Sequence, residues 1–256
     1  MDAADGFEQM YRATGRSRVY LEAVRASASD LPEWLVPYSF VGIPLLERFA
    51  TELSVRADQT VLDIGCGAGG PTLWIAEQTG ASVVGVDFSP AAIEAATALA
   101  ARRELPGRAR FRVSDATATG VADASADAVM SIDALMFVDA DSAAREIARA
   151  LKPGGRLVMT SPESLVESFF PTLVRDYRPI FERAGLTTIC HEEPLGHADR
   201  QSAFYQALVE RSDRLRAEMG EPAESLLNEA RNGLAPEERG KSRVRQVLYV
   251  AERLAP

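Results

Sequence analysis

Val61-Leu62-Asp63-Ile64-Gly65-Cys66-Gly67-Ala68-Gly69-Gly70-Pro71-Thr72 is the stretch on which the reading of this 256-residue chain turns. An apolar pair, Val61-Leu62, runs into an acid, Asp63. Glycines then occupy alternate positions, Gly65, Gly67 and Gly69, with Gly70 beside the last. A helical pattern starts at Thr72-Leu73-Trp74-Ile75-Ala76. The order is strand, tight turn, helix start. Glycine lacks a Cβ, so backbone there takes positive φ and lies close against a ligand. The helix that follows presents free N–H groups in its first turn. Cys66 falls inside the turn, where a small side chain is needed. Asp63 adds a negative charge just ahead of it.

Gly65, Gly67 and Gly70 formally satisfy G-x-G-x-x-G, the dinucleotide-binding spacing. Asp87 lies near the distance expected of a ribose-binding acid in that fingerprint. Asp63 separates two readings of the turn. It repels a pyrophosphate and attracts an ammonium or sulfonium. The run Asp63-Ile64-Gly65-Cys66-Gly67-Ala68-Gly69 resembles the first motif of the class I S-adenosylmethionine (SAM)-dependent methyltransferases. Four further segments resemble that family's motifs in the same order: Val83-Val84-Gly85-Val86-Asp87-Phe88-Ser89, Phe111-Arg112-Val113-Ser114-Asp115-Ala116, Asp127-Ala128-Val129-Met130-Ser131-Ile132-Asp133, and Leu151-Lys152-Pro153-Gly154-Gly155-Arg156-Leu157-Val158-Met159. The resemblance covers roughly residues 58–160 and extends beyond them only in outline.

Strands and helices alternate from about residue 58 to 193, the pattern of a parallel sheet with helices on both faces. Helices are expected over 69–79, 90–104, 140–151 and 172–184. Strands are expected over 60–64, 82–87, 109–113, 127–132, 155–160 and 187–192, with a last one from Val244 to Glu252. With the resemblance, this implies a Rossmann-like α/β fold: a seven-stranded, mostly parallel sheet in a single domain spanning 1–256. Within it, 1–52 would be an N-terminal helical cap, 53–198 the cofactor-binding core, 199–240 a helical lid insertion and 241–256 the final strand. The cap is mostly helical over 7–52, broken near Pro32, Pro37 and Pro44, and the insertion reads as one or two polar helices. Both excursions can simply cover apolar sheet edges, and both can select the substrate, since insertions at the ligand end of such a sheet commonly carry specificity.

A net charge of −9 argues against a nucleic-acid surface, which needs a basic footprint, and equally against anionic membranes. Arg211, Arg214 and Arg216 lie among Glu210, Asp213 and Glu218, which reads as a solvated helix face. The two cysteines, Cys66 and Cys190, form neither a zinc spacing nor a secreted disulfide framework, and no metal site is expected. The acidic N-terminus has no apolar core of a signal peptide, and no run approaches a membrane span. A cytoplasmic protein with a small-molecule partner is the expectation, and homo-oligomer formation is compatible with it.

The family's roles carry over position by position as implications of the resemblance. Gly65, Cys66 and Gly67 would pass close to the methionine part and ribose of SAM, and Asp63 would lie beside the amino group. Asp87 would take both ribose hydroxyls, Phe88 would pack on the adenine, and Asp115 with the Ala116 N–H would read the adenine edge. Ser131, at the end of the fourth strand, would complete the cofactor set. Read singly, Asp87 and Asp115 are also the acids expected at helix N-caps and turns. Many small-molecule members place a histidine base a few residues after the fourth strand. In Ile132-Asp133-Ala134-Leu135-Met136-Phe137-Val138 that place is taken by Phe137. Two candidates for proton transfer remain: Asp133, and His197 in the loop after the sixth strand. His191, within that strand, reads as a packed residue, as does Tyr20. Tyr11, Met136, Phe137 and Phe170 are the candidate acceptor contacts and suggest an apolar pocket. The activity implied is methyl transfer from SAM, yielding S-adenosylhomocysteine, to a small specialised metabolite. Three other readings stay open: a SAM-retaining cyclase, isomerase or hydroxylase, a nicotinamide oxidoreductase disfavoured by Asp63, and a non-catalytic SAM sensor.

Overall fold

Val61, Leu62, Asp63 and Ile64 are all buried because their strand, β1 (Thr60–Ile64), has a parallel neighbour on each side. One is β2 (Ser82–Asp87), the other β4 (Ala126–Ile132). This computed structural model describes residues 3–105, 107–164, 173–194, 196–235 and 244–254. β3 (Ala109–Val113) pairs with the outer side of β2, and β5 (Leu151–Ser164) with the outer side of β4. β7 (Val244–Arg253) inserts antiparallel between β5 and β6 (Leu186–Glu192). The seven strands run in the order β3-β2-β1-β4-β5-β7-β6. Strand order reverses between β1 and β4, the place where open α/β sheets bind ligands beyond their carboxyl ends.

Helices alternate with the strands. They are α3 (Ile43–Leu53), α4 (Gly70–Thr79), α5 (Pro90–Arg102), α6 (Ala140–Ala150) and α7 (Arg178–Arg183). Local chemistry sets their starts. Pro71 occupies the first turn of α4, where a missing N–H costs nothing. The Ser89 hydroxyl accepts from the Ala92 N–H to cap α5, and the Asp139 carboxylate accepts from the Ser142 N–H to cap α6. The core packs Leu62, Ile64, Val129, Leu157 and Met159 from the sheet against Ile147 and Phe181 from α6 and α7.

The fifth strand is not confined to 155–160. It begins at Leu151, with a register shift against β4 between Ala126 and Ala128, and continues to Ser164 because β7 supplies an antiparallel partner as far as Val244. Pro162 reads locally as a strand end, but an antiparallel neighbour accommodates it opposite Gln246. The helix expected over 172–184 is the shorter α7, and residue 172 lies outside the described residues.

The chain divides into two compact units. Residues 44–194 and 244–256 form the sheet unit. Residues 1–43 and 195–243 form a helical unit, so the two excursions from the alternation pack with each other. This unit holds α1 (Ala3–Thr14), α2 (Arg18–Ser27), α8 (His197–Glu210), α9 (Ser212–Met219) and α10 (Pro222–Leu234). Three helices occupy the insertion rather than one or two, interrupted at Arg211 and at Gly220. Val19, Tyr20, Ala23, Phe204, Leu208, Leu215 and Leu227 make its core. Ser17 ties α2 to α9 by donating to Glu218 at 2.7 Å, and Arg200 pairs with Asp30 at 2.7 Å. Arg211 and Arg214 pair with Glu22, and Arg216 with Asp213 and Glu224. Among the described residues no helix is long and apolar enough to cross a membrane.

Candidate functional site

The glycine turn leaves β1 and folds back on β2. The Gly65 and Cys66 N–H groups both donate to the Val86 carbonyl, at 2.8 and 3.0 Å, and the Gly69 N–H donates to the Cys66 carbonyl at 3.0 Å. Gly65 holds a φ of 76°, and a Cβ built on it would stand 2.1 Å from the Ala134 Cβ. Only glycine meets both demands, so this residue allows the turn after β1 to pack on the segment after β4. Cys66 is buried, its thiol 3.6 Å from the Gly67 carbonyl. Burial pushes that thiol well above its ordinary range, and Asp63 and Asp87 add to the effect, so it is held protonated.

Four acids gather on the carboxyl edge of the sheet, each in a different setting. Asp63 is 3% exposed and accepts from the Thr72 hydroxyl at 2.5 Å. Burial pushes its carboxyl up to about 7, with the Thr72 bond opposing the rise and Asp87 adding to it. Sequence alone assigns this acid a full negative charge, but near neutral pH burial leaves only part of one without a cation alongside. Asp87 ends β2 with its two oxygens held apart. Oδ2 accepts from the Gly67 N–H and Oδ1 from the Ser89 N–H, both at 2.9 Å. That ties the glycine turn to the start of α5. Asp115 is exposed, and its Oδ1 accepts from the Thr117 N–H at 2.7 Å and hydroxyl at 2.6 Å, a side-chain-closed turn, with half-buried Ala116 beside it. Asp133 follows β4 in a left-handed backbone, φ 55°, and is half-buried.

Not every residue of the expected set has a surface to offer. Ser131 is fully buried and donates to the Ile64 carbonyl at 2.8 Å, so its place in this structure is a clamp between β4 and β1. Phe88 is 38% and Phe137 46% exposed, unusual for large apolar side chains and consistent with walls of a ligand site. Met136 is half-buried in the short 3-10 turn Leu135–Phe137. Phe170 lies outside the described residues. Tyr11 and His197 belong to the helical unit. Tyr11 packs its ring 5.1 Å from Tyr38, and His197 packs edge-on to Phe40 at 5.3 Å. His197 is the first residue of α8, not part of a loop.

Several polar residues are invisible to sequence reasoning. Thr72 reads only as a helix start. Thr160 and Gln246 both donate to Asp133 Oδ1, Thr160 at 2.8 Å, although Gln246 lies 113 residues away. Their signal is strand register, which no local pattern carries. The same holds for Glu163, fully buried opposite Arg245. Its Oε2 accepts from Arg245 Nε and Nη2 at 2.8 and 2.7 Å, and its Oε1 from the Tyr249 hydroxyl. His191 Nε2 lies 3.2 Å from the same Oε1, with its ring against Tyr249. Glu163, Asp176 and His191 each bring one donor atom within 4.8 Å of the others, and Arg245 supplies the counter-charge.

Residues 62–159 match the family model described as a methyltransferase domain. The methyltransferase GfsG of Streptomyces halstedii is 34% identical over 71% of this chain and 62% of its own length. The chain spans less than two thirds of the curated relatives it matches. Among solved structures, the [4+2]-cyclase SpnF superposes with a TM-score of 0.72 at 21% identity, covering 83% of this chain and 81% of that one. A geranyl diphosphate C-methyltransferase from Streptomyces coelicolor A3(2), in complex with Mg2+, geranyl diphosphate and S-adenosyl-L-homocysteine, gives 0.60 at 21%, covering 82% and 79%. At these identities the structural likenesses speak for the fold.

Proposed function

We propose that the chain, whose residues 62–159 match a methyltransferase domain, is a class I SAM-dependent methyltransferase that transfers a methyl group from SAM to a small-molecule acceptor of the specialised-metabolite kind. One observation supports this most. The Asp87 carboxylate accepts from the Gly67 N–H, so the end of β2 and the glycine turn after β1 form one preassembled edge beside the β1–β4 point where strand order reverses. That edge fits a ligand with a diol on one side and a cationic amino-acid head on the other. Asp87 is the acceptor for the ribose hydroxyls, Phe88 the adenine wall, and Asp115 with Ala116 the adenine edge. Asp63 is the anion for the ammonium, and Gly65 and Gly67 let the cofactor approach the backbone.

SAM supplies an activated methyl on a sulfonium. Charge disperses during the displacement, so the protein's main task is orientation, worth up to roughly 7–11 kcal/mol in favourable cases. Asp133 and His197 are the candidates for taking a proton, which is needed only when the acceptor loses one. Tyr11, Met136, Phe137 and Phe170 are the candidate acceptor contacts, and the helical unit is the candidate selector. Purified protein incubated with SAM and candidate metabolites should form S-adenosylhomocysteine and methylated product in equal amounts, read by mass spectrometry.

Phe137 carries a second reading. It is 46% exposed where many relatives keep a histidine base, which suits a SAM-retaining enzyme that catalyses cyclisation, isomerisation or hydroxylation. Product without S-adenosylhomocysteine in the same assay selects that reading.

A further inference from the structure

Asp133 is held more elaborately than a strand-end acid requires. Its backbone is left-handed, φ 55°, a conformation that costs energy for a side-chain-bearing residue and gathers at functional sites. Its N–H donates to the Thr160 carbonyl at 3.1 Å. Its Oδ1 accepts from two side chains at once, Thr160 Oγ1 at 2.8 Å and Gln246 Nε2. Thr160 is 1% exposed and comes from β5, while Gln246 comes from β7, where it stands opposite Pro162. Both lie on the stretch of the β5–β7 pair at and beyond the last pairing of β4, Ile132 with Thr160. A polar row thus crosses three strands and ends on one carboxylate oxygen.

The other oxygen differs. Among the described residues Asp133 Oδ2 has no hydrogen-bond partner, and it is not among the buried unpartnered atoms, of which Thr188 Oγ1 is the one example. A carboxylate accepts on both oxygens. With Oδ1 committed to the scaffold, Oδ2 is fixed in direction and open. Met136 and the exposed Phe137 follow in the next turn and give the same locality an apolar face. The Glu163–His191 pair does not compete for this role. His191 lies on β6, three strand spacings from β4, about 14 Å at roughly 4.8 Å each, and the Glu163 carboxylate is already paired with Arg245.

We infer that Gln246 and Thr160 are positioning residues that aim Asp133 Oδ2 at the acceptor, and that the acceptor is an apolar molecule presenting an O–H or N–H to that oxygen. This rests on the methyltransferase reading and narrows its substrate class to heteroatom acceptors. In the step, the heteroatom lone pair takes the methyl and the electrons of the breaking C–S bond stay on sulfur. The proton passes from the heteroatom to Oδ2 and on to water. One proton leaves per turnover, and the products are neutral thioether and methylated acceptor.

The test uses the full chain with three aromatic probes. 2-Naphthol presents an O–H, tryptamine an N–H, and N-methylindole a nucleophilic carbon with neither. Calorimetry with SAM comes first, and absence of SAM binding overturns the methyltransferase reading and this inference with it. Given SAM binding, methylation of 2-naphthol or tryptamine and none of N-methylindole is expected. Methylation of N-methylindole, or of no probe, overturns the inference alone. On the responsive probe, Gln246→Leu and Thr160→Val should each lower kcat about ten- to a hundredfold, the scale of a misplaced reacting group, with the SAM dissociation constant and Tm unchanged. Thr160→Ser keeps the hydroxyl and should restore kcat. Variants with unaltered kcat, or a Thr160→Ser as slow as Thr160→Val, show that the row is scaffold only.

Discussion

Asp63→Asn probes the least ordinary group of the site. Asp63 is 3% exposed with a carboxyl pushed up to about 7, against about 3.9 in an unfolded chain. A folded-state value above the unfolded one means the stability from this group is fully present below about pH 4 and is lost as pH rises through about 7. The gap between the two values corresponds to about 4 kcal/mol at alkaline pH, of which about 2–3 kcal/mol falls between about pH 5 and 8. Asparagine keeps the size and a partner for the Thr72 hydroxyl but cannot ionise. Without cofactor, the stability of Asp63→Asn relative to the natural protein should therefore rise by about 2–3 kcal/mol from pH 5 to pH 8. Urea unfolding at the two pH values reads this directly. With saturating S-adenosylhomocysteine the difference should shrink, because an ammonium beside Asp63 restores the charged form. Calorimetry in buffers of different ionisation enthalpy should show nearly one proton released on SAM binding at pH 6, and almost none at pH 8. Parallel stability profiles for the two proteins from pH 5 to 8 would refute the burial argument, and equal proton release by Asp63→Asn would take Asp63 away from the ammonium.

Asp87→Ala should weaken SAM binding by about 1.5–3 kcal/mol, the range for hydrogen bonds to a charged group, measured by calorimetry with circular dichroism intact. An unchanged dissociation constant removes Asp87 from the ribose. Gly65→Ala forces a Cβ to within 2.1 Å of Ala134 at a φ of 76°, and should cost at least about 1–3 kcal/mol from crowding alone. A thermal melt within a degree of the natural protein would show that the turn relaxes freely. Arg245→Met leaves the fully buried Glu163 without its cation and should cost about 3–5 kcal/mol in urea unfolding, while a neutral result would show that Tyr249 and His191 suffice.

What is legible in the sequence is whatever is written locally. The strand–turn–helix at 61–72 announces itself because the turn needs glycine where Ala134 crowds it, and the strand-end acids Asp87, Asp115 and Asp133 follow from their place after apolar runs. β5 reads too short for the complementary reason. Its last four residues are paired as strand by β7, about eighty residues later in the chain, and Pro162 argues locally against a strand. Ser131 shows the limit from another side. Its position after Met130 is legible, but whether its hydroxyl faces a ligand or the Ile64 carbonyl depends on strand twist and packing, and the structure gives it the second. The electrostatic inference from Asp63 carries a similar gap. A carboxylate in sequence is a charge, whereas a carboxylate 3% exposed is a titrating group. On the proposed function, the glycine turn would select a cationic ligand through a coupled equilibrium, in which the ligand's charge and the acid's ionisation appear together. The same logic runs through Asp133 in the opposite sense. Thr160 and Gln246 fix one oxygen in advance, so the half-buried acid has its direction set by strand register before any acceptor arrives. Local sequence names the acids, and long-range pairing decides which of them is preset and which waits for its ligand.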